Sequence, residues 1–135
     1  MPKLIWCDNF SVKIAEIDAQ HKKLIDMVNE LSDAMAVGKG ADALGDILSR
    51  LVQYTQTHFA TEERLLKLYG YPNYDEHCAQ HYNLTRQVLE IQDHYLTTHL
   101  GLTIPVLDFL NEWLAKHILQ SDKEYAPFLT AKGLK

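Results

Sequence analysis

Two pairs of metal-type side chains at four-residue spacing stand out in this chain: His58 with Glu62, and His77 with His81. On an α-helix each residue advances roughly 100°, so an i, i+4 pair sits about 40° apart, one turn above the other, and both members can reach one point. Three further residues take comparable inward positions: His21, His117 and, five residues later, Asp122. A lone histidine on an apolar face is usually a core residue satisfied by one or two hydrogen bonds. Five imidazoles and two carboxylates buried together without a cation would leave polar groups unpaired, at about 1–3 kcal/mol each and more for the charged ones. A metal centre removes that cost. Seven ligands exceed one tetrahedral zinc, and no cysteine cluster suggests a zinc knuckle. Two metals sharing bridging Glu62 and Asp122 account for the number: with a solvent-derived third bridge, three histidines complete six-coordination at one metal, and two leave the other with an open position. Imidazole and carboxylate donors favour iron over magnesium or calcium, while manganese and zinc stay open.

These residues need helices that hold them face to face. The first helix is expected to start at an Asp18 N-cap, with a stripe of Ile17, His21, Leu24, Ile25, Val28, Leu31 and Met35, and to end at Gly38-Lys39-Gly40. The second should begin near Ala41 or Asp42 and run to about Tyr69; His58 and Glu62 interrupt its apolar face, while Glu63, Arg64 and Lys67 lie off that face as solvated charges. Gly70, Pro72 and Asn73 make a turn before a third helix carrying Tyr74, His77, His81, Leu84, Val88, Ile91 and Tyr95 on one stripe. His94 and His99 fall off that stripe and receive no site role. Gly101 ends the third helix, and Thr103-Ile104-Pro105 opens a fourth through Val106, Leu110, Trp113, Leu114 and His117. On a regular helix Asp122 would point about 140° from His117, so joint binding requires a π-type bulge, or a helix that ends and turns there. Tyr125, Phe128 and Leu129 of the tail should pack across the bundle end, and Trp6, Phe10, Val12, Ile14 and Ile17 should form an arm laid on the bundle. The expected fold is all-α: an up-down-up-down antiparallel four-helix bundle in a single domain of residues 1–135, with residues 1–17 as the N-terminal arm and 18–130 as the bundle.

Composition sets outer bounds. With 135 residues, 47% of them hydrophobic, the chain suits one packed domain. A formal charge of −5 provides no basic stripe, so neither nucleic acid nor an anionic membrane is expected as partner. No apolar run approaches the roughly 20 residues of a membrane helix, and the first residues lack a signal-peptide core, so a cytoplasmic location is expected. Cys7 and Cys78 make no disulfide framework, and Cys78 reads as a packing residue.

The chain resembles the hemerythrin family, specifically the single-domain bacterial members. The resemblance rests on Trp6, Ser11-Val12-Lys13-Ile14, Ile17-Asp18-Ala19-Gln20-His21-Lys22, His58-Phe59-Ala60-Thr61-Glu62-Glu63, Tyr71-Pro72, His77 with His81, and Trp113-Leu114-Ala115-Lys116-His117-Ile118 leading to Asp122-Lys123. It implies two iron ions with an oxo or hydroxo bridge: His77, His81 and His117 at one iron, His21 and His58 at the other, and Glu62 and Asp122 across both. It further implies that dioxygen, the expected partner, binds end-on at the iron held by His21 and His58 and is reduced reversibly to a hydroperoxide. Leu24, Ile25, Leu114 and Ile118, one turn from the ligands, are candidates for the wall of the oxygen pocket, with Leu114 nearest the oxygen.

A reversible oxygen carrier for storage or delivery, not an enzyme, is the leading expectation. The alternatives are oxygen or redox sensing and a di-iron peroxidase or nitric-oxide-handling activity, with an electron donor as a conceivable partner. Oxygen-activating di-iron sites usually carry Glu-x-x-His pairs on two helices, and Glu62-Glu63-Arg64-Leu65 lacks that spacing. Tyr54 or Tyr82 could serve a redox role, although packing is the simpler expectation for each.

Overall fold

The computed structural model describes residues 5–98 and 103–135, and within them not the side chains of residues 41, 95–98, 103–105 and 118–120. Gly101, His99 and the side chains of Tyr95 and Ile118 therefore lie outside the described residues. After a short 3-10 turn at Asp8–Phe10 come α1 (Ala15–Ala36), α2 (Gly40–Leu68), α3 (Tyr74–Thr98) and α4 (Thr103–Lys116). Six residues of π-helix, His117–Asp122, follow without a break and lead into α5 (Lys123–Ala131). Together these form the expected antiparallel four-helix bundle, α1 packing on α2 and α4, and α2 on α3. Gly38 and Gly70 have φ of +75° and +72°, left-handed values that let the chain reverse after α1 and α2.

The first helix starts three residues ahead of the expected cap. Its N-cap is Ile14, which makes no side-chain cap bond, and Asp18 lies inside the first turn. There the Asp18 carboxylate accepts hydrogen bonds from the Ser11 hydroxyl at 2.6 Å and the Val12 amide at 2.8 Å. Its capping chemistry is thus spent on the arm, not on its own helix. Lys13, with φ of +63°, makes the bend between Val12 and Ile14, and both of those side chains are buried. Trp6 stacks on Phe10 at 5.8 Å, under the Lys22 ammonium at 5.0 Å.

Two apolar clusters divide the interior. The larger includes Leu24, Ile25, Leu31, Leu48, Phe59, Leu110, Trp113 and Leu114, and the Trp113 indole donates to the Leu84 carbonyl at 3.1 Å, tying α4 to α3. The smaller joins the arm (Val12, Ile14) and Ile17, which lies in the first turn of α1 and not in the arm as expected, to Leu65, Leu66, Tyr71, Tyr125 and Leu129. Tyr125 and Leu129 pack as expected of the tail, but they do so from a helix. Among the described residues no helix is long and apolar enough to cross a membrane.

Candidate metal centre

The inward stripes bring all seven expected residues to one place. His21 comes from α1, His58 and Glu62 from α2, His77 and His81 from α3, and His117 and Asp122 from the two ends of the π segment. Each exposes 3% or less of its surface. The π segment is what seats Asp122: an extra residue per turn brings positions five apart to the same face. The Nε2 of His117 lies 2.9 Å from Asp122 Oδ2 and 3.1 Å from Glu62 Oε1.

Their potential ligand atoms form two groups, His21, His58, Glu62, His117 and Asp122 on one side, and Glu62, His77, His81 and Asp122 on the other. Only the two carboxylates belong to both, as bridging ligands must. The division differs from the one the resemblance implies in one respect, since His117 groups with His21 and His58. Its ring stands almost midway, with centroids 5.3 Å from His58, 5.7 Å from His21 and 5.5 Å from His81.

The arrangement fits a cation and is poorly satisfied without one. The outer nitrogen of His58 meets the Gln20 side-chain carbonyl at 2.7 Å, and that of His81 meets the Glu63 carboxylate at 2.9 Å. Both partners accept, so each Nδ1 carries a proton and each Nε2 is left facing inward, the nitrogen that offers a lone pair to a metal. The inward nitrogens stand close to the carboxylates but beyond good hydrogen-bond geometry: His81 Nε2 lies 3.5 Å from Glu62 Oε1, and His77 Nε2 lies 3.4 Å from Asp122 Oδ1. The two Nε2 atoms and Asp122 Oδ1 are buried with no hydrogen-bond partner. Donor atoms about 2.1 Å from one ion and at right angles stand ~3 Å apart, close to the spacing found here.

Electrostatics compensate only in part. Burial opposes charging His117 and His77, but the attraction of Asp122 and Glu62 outweighs it and raises them to about 10 and about 9. Burial likewise opposes ionising Glu62 and Asp122, yet the surrounding imidazoles hold both below the ordinary carboxylate range. For His21 burial prevails over its 2.6 Å contact with Asp122, and its basicity falls. Protons thus stand in for the positive charge that two buried carboxylates require.

Several contributors escaped the sequence reading. Glu63 is not a simple solvated charge, because it orients His81, and Gln20, itself bonded to Thr61 at 3.2 Å, does the same for His58. The fully buried Tyr125 donates its hydroxyl to Glu62 Oε2 at 2.8 Å. Its position three residues after Asp122 was the signal available, since i, i+3 residues share a helix face. Tyr54 packs against the larger core cluster, whereas Tyr82 is 70% exposed. Phe59 stacks on the His81 ring at 3.9 Å, and Leu24, Ile25 and Leu114 are buried in the same cluster. Cys7 and Cys78 are free, and neither belongs to the ligand groups.

Comparison with known proteins points to one family. Residues 12–129 match the hemerythrin HHE cation binding domain. A bacteriohemerythrin of Methylococcus capsulatus is 32% identical over 97% of this chain and 100% of its own length. One from Pseudomonas aeruginosa is 34% identical over 93% of this chain and 80% of its own, and a myohemerythrin of Theromyzon tessulatum is 27% identical over 89% and 88%. A wild-type hemerythrin crystal structure superposes with a TM-score of 0.84 at 30% identity, covering 94% of this chain and 98% of that one.

Proposed function

The chain belongs to the hemerythrin family, and from that premise we propose that it binds dioxygen reversibly at a non-haem di-iron centre, as a carrier and not as an enzyme. The observation that carries the reading is the set of inward imidazole nitrogens facing two shared, fully buried carboxylates. His21, His58, His77, His81 and His117 would hold the two irons, with Glu62 and Asp122 bridging them. As the resemblance implies, His117 would join His77 and His81; its ring centroid lies 5.5 Å from that of His81, about as near as to His58 and His21. A ferrous pair, when bound, supplies two reducing equivalents that dioxygen takes up and returns.

The protein's own part is to hold, to insulate and to exclude water. Gln20 and Glu63 fix the tautomers of His58 and His81, so these rings meet a metal as neutral donors. Leu24, Ile25 and Leu114 would wall the oxygen side, and Leu114 lies one turn before His117. A dry apolar wall disfavours any net new charge, which favours release of neutral dioxygen over escape of a charged, reduced product. Histidines outnumber carboxylates five to two at the centre, a donor balance suited to binding more than to activation. We read the chain as one cytoplasmic domain.

The test is an absorption spectrum of anaerobically reduced, iron-loaded protein, taken before oxygen, after oxygen, and after oxygen is withdrawn. Charge-transfer bands that appear with oxygen and vanish on its removal are the expected result. Bands that arise once and persist overturn the carrier reading and favour irreversible oxidation, as in a redox sensor or peroxidase.

A further inference from the structure

We propose that Tyr125 is a positioning residue for the metal centre: its hydroxyl locks the Glu62 carboxylate in the orientation that lets each oxygen serve a different part of the ligand set. The inference rests on the di-iron reading and deepens it.

The Glu62 oxygens have distinct surroundings. Oε1 faces His58 at 2.7 Å, His117 at 3.1 Å and His81 at 3.5 Å. Oε2 faces His77 at 3.5 Å and accepts the Tyr125 hydroxyl at 2.8 Å. The phenol thus occupies one lone pair of Oε2 and leaves the other turned toward His77. Rotation of the carboxylate would break this bond within a site that offers no water in exchange, since Tyr125 and Glu62 are both fully buried. The tyrosine is itself immobilised. Its ring lies edge-on to His77 at 5.3 Å and to Tyr71 at 6.4 Å, within the cluster that joins arm, α2 and α5.

The π segment therefore performs two placements at once. By shifting the register after His117 it seats Asp122, and one helical turn later it aims Tyr125 at the opposite carboxylate. Outer hydrogen-bond partners of metal ligands commonly control affinity by about 10–100-fold.

The test compares wild type with Tyr125→Phe, and uses Tyr71→Phe as the control, because Tyr71 shares the cluster but does not bond to a ligand. Each protein is loaded anaerobically with ferrous iron, and three quantities are read: iron per chain, the rate of iron loss to an excess of chelator, and the carboxylate stretching bands in the infrared. Tyr125→Phe is expected to lose iron roughly tenfold or more faster and to shift a carboxylate band, with Tyr71→Phe unchanged in both. A packing defect alone would leave the carboxylate bands in place. Unaltered release and bands in a folded Tyr125→Phe protein overturn the proposal. If that variant does not fold, wild type carrying 3-fluorotyrosine, a stronger phenol donor, takes its place: a shifted band supports the proposal and an unmoved band overturns it. Should wild type itself fail to take up two irons, the di-iron reading falls, whatever the variants do.

Discussion

Replacing Glu63 by Ala isolates the orienting role of a residue that never touches a metal. The Glu63 carboxylate accepts from His81 Nδ1 at 2.9 Å, and its side chain is 34% exposed. Removing it frees His81 to protonate at either nitrogen, so part of the population turns an N–H inward where a lone pair is needed. Loss of such a partner lowers metal affinity by about 10–100-fold, or roughly 1.4–2.7 kcal/mol. Solvent weakens the contact at this exposure, so the expected loss is near tenfold, about 1.4 kcal/mol. The metal-free fold should lose less than about 1 kcal/mol, as for other half-exposed polar pairs. A surface cleft of about 410 Å³, lined by Phe59, Glu63, Cys78 and His81, lets water replace the missing acceptor. The assay is competition with a chelator of known affinity, alongside thermal melts of metal-free protein. Glu63→Gln, which keeps a carbonyl acceptor, should recover most of the affinity. Unchanged affinity in Glu63→Ala, or a fall in metal-free stability as large as the fall in affinity, would refute the argument.

Three other outcomes follow from the same geometry. In metal-free protein His77 and His117 titrate at about 9 and about 10, above their unfolded value of 6.5. Their contribution to stability is complete below about 6.5 and is lost as pH rises through 9–10, while that of the depressed Glu62 and Asp122 is present above their unfolded 4.5 and 3.8 and fades in acid. Melting temperature should therefore fall at both extremes, and metal uptake at pH 7 should release protons, measurable by calorimetry in buffers of different ionisation enthalpy. Inserting an alanine after Ser121 sets Asp122 six residues from His117 and rotates it roughly 100° off the site; circular dichroism should keep its helical signal while metal per chain drops, and full metal loading would show that the π register is dispensable. Leu114→Ala removes a fully buried side chain, with an expected cost of about 2–5 kcal/mol in melting experiments and faster autoxidation of the oxygenated protein; an unchanged autoxidation rate would remove Leu114 from the wall.

Much of the centre was legible in the order of residues, because helical periodicity converts spacing directly into direction. His58 with Glu62 and His77 with His81 share a face wherever a helix forms, and His21 and His117 interrupt stripes that are otherwise apolar. That local rule determined the bundle, its turns at Gly38 and Gly70, and the seven residues drawn inward. It also stated the difficulty at Asp122, where a five-residue spacing left a bulge and a helix end as equal solutions.

Tertiary structure decided what depends on partners distant in the chain. A π segment was selected at His117–Asp122 because Asp122 is thereby brought against His21, about a hundred residues earlier, at 2.6 Å. Asp18 became a brace for the arm once Ser11 and Val12 folded back within its reach, and α1 began at Ala15 in consequence. Glu63, Gln20 and Tyr125 acquired their roles only when other helices presented His81, His58 and Glu62 to them. Spacing along one helix specifies the direction of a side chain; the identity of the group it meets is set by the packing of the others.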